Sequence, residues 1–139
     1  MQFIVEGKPQ GKARPRIVQN RHTGKSVAYT PINTGNYEDL IRWSYKAAGG
    51  EYLGEKVLQV DIKAFYPIPK AFSKGKRIDA INGNTRPTSK PDCDNIVKVV
   101  LDALNGVAYY DDKQVVSVSC NKYFGERGYL QITIEEIKV

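Results

Sequence analysis

The sequence is short of the residues that build soft-metal and disulfide chemistry. His22 is its one histidine, and Cys93 and Cys120 are its two cysteines, without CxxC spacing. That pattern excludes a Cys/His zinc site and a disulfide scaffold, and both thiols are expected to be packing residues. No apolar run approaches the roughly 20 residues of a membrane span, and the opening MQFIVEGKPQ has no signal-peptide h-region. There is no internal repeat and no low-complexity tract. The expectation is a cytosolic protein with no membrane partner, and a chain of 139 residues is long enough for one real core in a single domain, 1–139.

Acidic residues are in the minority, 15 against 21 Lys and Arg, for a formal net charge of +6. The excess is unevenly placed. Residues 1–30 carry Lys8, Lys12, Arg14, Arg16, Arg21 and Lys25 against Glu6, and residues 70–90 carry Lys70, Lys74, Lys76, Arg77, Arg86 and Lys90 against Asp79. Each block is +5, which leaves −4 for the rest. Basic blocks interrupted by Gly and Pro make poor core and good polyanion contacts. Lys12, Arg14 and Arg16 in the first block, with Lys74, Lys76, Arg77 and Lys90 in the second, are the candidate nucleic-acid contacts. The plain alternative is a solvated basic surface.

The patterning suggests strands at 3–7, 27–30 and 56–67, where Val57, Leu58, Val60, Ile62 and Ala64 mark the apolar positions. A helix is expected over 36–50, burying a broad face of Tyr37, Leu40, Ile41, Trp43 and Tyr45 and stopping at Gly49-Gly50. Residues 68–91 read as a loop or a short helix. The clearest helix follows Asp94, with Ile96, Val100, Ala103, Leu104 and Val107 on one face and Asp94, Lys98, Asp102 and Asn105 on the other. Two strands joined by GERG close the chain and read as a hairpin. Strands at both ends with helices between give an α+β fold, a mixed β-sheet with two main helices.

The stretch KPDCDNIVKVVLDALNGVAYYDDKQV, residues 90–115, gathers Asp92, Asp94, Asp102, Asp111 and Asp112 in an otherwise basic chain. Pro91 keeps Lys90 extended, and Asp94 suits an N-cap. Asp92 and Asp94 can then share one side of an extended lead-in, with Lys98 one turn on. If the chain folds back after Gly106, it brings Asp111 or Asp112 to the start of the helix; Asp112 is favoured. Carboxylates so close repel unless a cation or proton intervenes, and hard oxygen donors favour Mg²⁺ or Mn²⁺. A carboxylate-held metal could activate water against a phosphodiester while basic arms hold the flanking backbone. The bland reading makes Asp94 a cap, Asp111-Asp112 a turn and Lys98 an i,i+4 partner of Asp94.

The compound pattern resembles the RusA family of Holliday junction resolvases: D-x-D-N, a Lys four residues after the second Asp, a D-A-L helix, then D-D-x-Q-V. The resemblance implies a small α+β homodimer that cuts four-way DNA junctions by paired symmetric nicks with Mg²⁺ or Mn²⁺. By position, it implies an acidic metal cluster of Asp92, Asp94 and Asp112 and an essential lysine at Lys98, with Asp102 and Asp111 in support. Two other readings compete. One is a different Mg²⁺ nuclease, since Pro91-Asp92 and Glu136-Ile137-Lys138 imitate a PD-(D/E)xK pattern. The other is a non-catalytic DNA-binding module that needs only the basic arms. Tyr66, Phe72, Tyr109 and Tyr110 could stack on exposed bases, although Tyr109 and Tyr110 suit a core or an interface.

Overall fold

The computed structural model describes residues 1–12, 16–19, 26–29 and 32–138, without the side chains of 13–34. Its main sheet contains β1 (Gln2–Glu6), β4 (Leu58–Pro67), β5 (Val115–Gly125) and β6 (Tyr129–Glu136) in the order β1-β6-β4-β5. β4 pairs antiparallel with β6 and parallel with β5, so the sheet is mixed. A separate ribbon pairs β2 (Arg16–Gln19) with β3 (Ser26–Tyr29). The helices are α1 (Ile32–Ala47), the short α2 (Lys74–Ile81) and α3 (Cys93–Leu104).

β4 is central because alternate residues, Leu58, Val60, Ile62, Ala64 and Tyr66, are buried on one face. α1 and α3 pack side by side over that face. α3 contributes Ile96, Val100, Ala103 and Leu104 to the core, as its apolar spacing predicts, together with Val99, while Val107 lies past the helix end and is only half-buried. Burying these five side chains is worth about 1.5–3 kcal/mol for each larger aliphatic one, which outweighs the modest intrinsic propensity of a Val-rich helix.

Several sequence expectations are corrected. β5 and β6 are both strands, but they form no hairpin: β4 lies between them and pairs with each. The Glu126–Gly128 link therefore passes the end of β4. Gly128 fits there because a Cβ would meet the Lys8 Cα at 2.7 Å, and its carbonyl accepts the Gly7 N–H. In α1 the buried positions are Tyr37, Ile41 and Tyr45, one residue per turn, whereas Trp43 is 70% exposed and Leu40 also faces solvent. Val57 is exposed, just before β4. Cys93 is exposed rather than packed. Its thiol donates to the Cys120 carbonyl at 3.6 Å. Burial, followed by the adjacent Cys93, pushes the Cys120 thiol up to about 12. Among the described residues, no helix is long and apolar enough to cross a membrane.

Candidate active site

The local sequence fixes the start of α3. Asp92 follows Pro91 in an extended conformation (φ −71°, ψ 159°) and takes the N-cap position, so Asp94 sits in the first helical turn and is not the cap expected above. The Asp92 side chain makes no capping hydrogen bond, and Asp92, Asp94 and Lys98 are all exposed. Two carboxylates at the positive end of a helix dipole are electrostatically favoured there. Among the described residues, no side chain forms an ion pair with either carboxylate.

The N-terminal segment closes over this turn. The Lys12 N–H donates to the Asn95 carbonyl at 3.4 Å, and Gly11 passes so near that a Cβ would meet those of Pro91 and Asn95 at 2.9 and 3.0 Å. The result is an open groove of about 850 Å³ lined by Lys8, Gln10, Lys12, Lys90, Asp92 and Asn95, among others. Lys8 and Lys90 are exposed, and among the described residues neither forms an ion pair. Lys12, expected on DNA, has its ammonium in an internal network instead, 2.7 Å from Glu38 Oε1 and 3.2 Å from Asp102 Oδ2. Burial pulls the Lys12 pKa down, but the bonds to Glu38 and Asp102 outweigh it, and the net shift is upward. Asp102 thus serves to clamp the N-terminal segment and α1 to α3.

The third acidic residue does not reach this turn within one chain. The Asp112 N–H donates to Asn105 Oδ1 at 2.8 Å, and Asn105 is the C-cap of α3. A helix of 12 residues separates the two ends by about 18 Å. Asp112 instead neighbours Asp111 and Asp102. Burial, then Asp111 and the charge of Asp102, hold its carboxyl above the ordinary value, against a hydrogen bond from Asn105. Among the described residues, no three His, Cys, Asp or Glu side chains lie close enough together to hold a metal ion.

The other expected contacts divide. Lys74 and Lys76 are exposed on α2, while Arg77 is half-buried and donates to the Pro69 carbonyl. Arg14 and the side chain of Arg16 lie outside the described residues. Tyr66 is buried, and its hydroxyl donates to the Pro91 carbonyl at 2.9 Å, fixing the start of α3 to β4. Tyr109 is core and Tyr110 is exposed.

Gln114 is a residue to which the sequence pattern alone assigns no role, yet it organises the DDKQV turn. Its Oε1 accepts the Asp111 N–H at 3.0 Å, and its Nε2 donates to the Gly54 and Lys56 carbonyls, each at 2.7 Å. A side chain with both a donor and an acceptor end was the available signal. Gln114→Leu should cost about 1–3 kcal/mol, because three backbone groups lose a partner at a half-buried position. Urea unfolding would read this as a lower midpoint with unchanged slope; an unchanged midpoint would show those bonds to be dispensable.

The start of α3 thus carries an exposed acidic pair, with a lysine one turn on and a groove edged with cations beside it. The family described as endodeoxyribonuclease RusA matches residues 6–135. The chain belongs to the RusA endodeoxyribonuclease family. The match runs from the end of β1 to the end of β6, so it takes in the N-terminal basic segment as well as the acidic stretch. A relative from Bacillus subtilis (strain 168), the uncharacterized protein YqaN, is 34% identical over 140 residues, covering 99% of this chain and 96% of its own.

Proposed function

We propose that this RusA-family protein is a divalent-metal-dependent endonuclease that resolves four-way DNA junctions by paired, symmetric phosphodiester hydrolysis. The observation that carries this reading is the exposed Asp92 and Asp94 pair at the start of α3, with Lys98 one turn on and the Lys8 and Lys90 groove beside it. The donor chemistry suits Mg²⁺ or Mn²⁺, since Mg²⁺ is commonly held by one or two carboxylates together with water and substrate phosphate. Asp92 and Asp94 would hold the cation, which when bound polarises the phosphodiester and lowers the pKa of an attacking water. Lys98 offsets negative charge that develops on the phosphate oxygens. Lys8 and Lys90 grip the backbone on either side of the cut.

A homodimer accounts for Asp112. β5 is an edge strand whose later half is covered: Arg86 donates to the Lys122 carbonyl, and the Lys122 ammonium donates to the Ser89 carbonyl. Its earlier half, Val116–Ser119, is exposed and uncharged, without the lysine or proline that usually protects an edge. Antiparallel pairing of two such edges about a two-fold axis near Ser117 would set Asp112 of one subunit opposite Lys122 of the other. Lys122 lies beside the 89–92 segment that leads into α3. The acidic set would then be Asp92 and Asp94 from one subunit with Asp112 from the second.

A metal-dependent cleavage assay tests the reading on a four-way junction, a replication fork, linear duplex and single-stranded DNA. The expected result is paired nicks in the junction with Mg²⁺ or Mn²⁺ and none in EDTA. Equal cutting of all four substrates would remove the junction assignment, and binding without cutting would favour a DNA-binding module.

A further inference from the structure

A second pocket adjoins the groove and is built differently. It encloses about 360 Å³ between the end of β4, the start of α2 and the segment 85–89. Its walls are Pro67, Pro69, Pro87, Phe72 and Phe124, and its polar groups include Thr85, Thr88 and Ser89. Lys8, Lys76 and Arg86 rim it, and among the described residues no carboxylate lines it. Lys8 also lines the groove at Asp92, so the two spaces share a wall. Tyr66 ties them mechanically, lining this pocket while bonding to the Pro91 carbonyl.

We infer that this pocket receives one unstacked nucleotide of the DNA strand next to the cut, an inference that rests on the junction-nuclease reading. The volume lies at the low end of small-ligand sites, roughly 300–1,000 Å³, which suits a single nucleotide and excludes a length of duplex. The lining matches the three parts of that ligand. Proline and phenylalanine walls present apolar surface to a base, with Phe72 and Phe124 edge-to-face at 5.4 Å. Hydroxyls of Thr85, Thr88 and Ser89 offer both donors and acceptors to a base edge. Lys8 and Lys76 stand at the rim for the phosphates, and Lys76 already lies 4.3 Å from the centre of the Phe72 ring. Three prolines restrict the backbone, so little ordering entropy is lost when a nucleotide enters. A branch point supplies such a nucleotide at lower cost than intact duplex does, because its bases are the least firmly stacked. The pocket would therefore add a base-dependent preference to cleavage whose chemistry resides at α3.

The test uses the full-length protein and four-way junctions carrying 2-aminopurine at successive positions around the mapped cut, in EDTA so that no incision occurs. Emission should rise on binding at one or two positions only. That rise should be lost in Thr88→Trp, where an exposed loop residue is replaced by an indole that fills the pocket. An abasic nucleotide at the responding position should slow wild-type cleavage about tenfold to a hundredfold, the usual range for loss of one stacked base, and change Thr88→Trp little further. Lys76→Ala, at an exposed position on α2, is the second variant; it should reduce the emission change and the abasic effect without loss of folding. Flat emission at every position, with the junction bound and cut normally, would overturn the pocket assignment alone. Failure to bind or cut any branched DNA would instead remove the junction reading and the pocket with it.

Discussion

Asp94→Asn should leave the protein folded and bound to junction DNA at least as tightly as wild type, while cleavage falls by orders of magnitude. Asp94 lies in the first turn of α3 and is exposed, so the amide replaces the carboxylate with little change in packing. The N-cap is Asp92, so no capping geometry is lost, and forfeiting the favourable interaction with the helix dipole costs only about 0.3–1 kcal/mol. On the proposed reading binding rests on distributed phosphate contacts, and removing a negative charge beside the backbone should not weaken them. Under the proposed mechanism cleavage should depend on that charge, because a neutral amide is a far poorer ligand for a hard cation. If Asp94 were merely a first-turn acid that complements the dipole, the same variant would lose a little stability and no activity. Gel shift and cleavage on one junction, with circular dichroism to establish folding, separate the two. A folded Asp94→Asn protein that cuts at the wild-type rate would take Asp94 out of the chemistry.

The helix that carries this residue was the most legible part of the sequence. Ile96, Val100, Ala103 and Leu104 at helical spacing could bury together in only one way, and the exposed face followed. Val107 falls past the helix end because the chain turns at Asn105 and Gly106, and Val99 takes the remaining core position. α1 was legible as a helix but not in its orientation. Leu40 and Trp43 are apolar by type, yet which stripe faces the core depends on where the sheet lies, and Tyr37, Ile41 and Tyr45 take it. The GERG turn between β5 and β6 carried the local signature of a hairpin. The insertion of β4 between them is a long-range pairing that a turn sequence does not encode. Lys12 misled for the same reason: its partners Glu38 and Asp102 are distant in sequence, so an ammonium that reads as free on the chain is paired in the fold. Asp112 is the most consequential case. The sequence predicts a fold-back after Gly106, but the turn delivers Asp112 to the C-terminal end of α3, because β5 starts there and runs back toward Cys93.

That placement makes a subunit-mixing experiment decisive. Asp94→Asn and Asp112→Asn proteins should each be inactive alone, and mixing them under conditions that allow subunit exchange should restore cutting. If a site combines the α3 start of one subunit with Asp112 of the other, a mixed dimer contains one site with both substitutions and one with neither. The intact site can nick one strand, so the mixture should yield single nicks in place of paired ones. With random exchange of equal amounts, about half the dimers are mixed and each holds one intact site of two, so about a quarter of the wild-type nicking capacity is the ceiling on recovered activity. If all three aspartates acted within one chain, every site in the mixed dimer would carry a substitution and mixing would restore nothing. A third outcome also discriminates: Asp112→Asn with full activity alone would reduce the acidic set to Asp92 and Asp94. Light scattering at the assay concentration completes the measurement, since a strictly monomeric mass alongside normal cleavage would exclude any site shared between subunits. The β5 edge supplies the matching control. Val118→Lys, at an exposed position next to the two-fold, would place two like charges diagonally across the axis, within reach of each other. It should shift the protein toward monomer and lower cleavage together, although Val118 lies outside both acidic clusters.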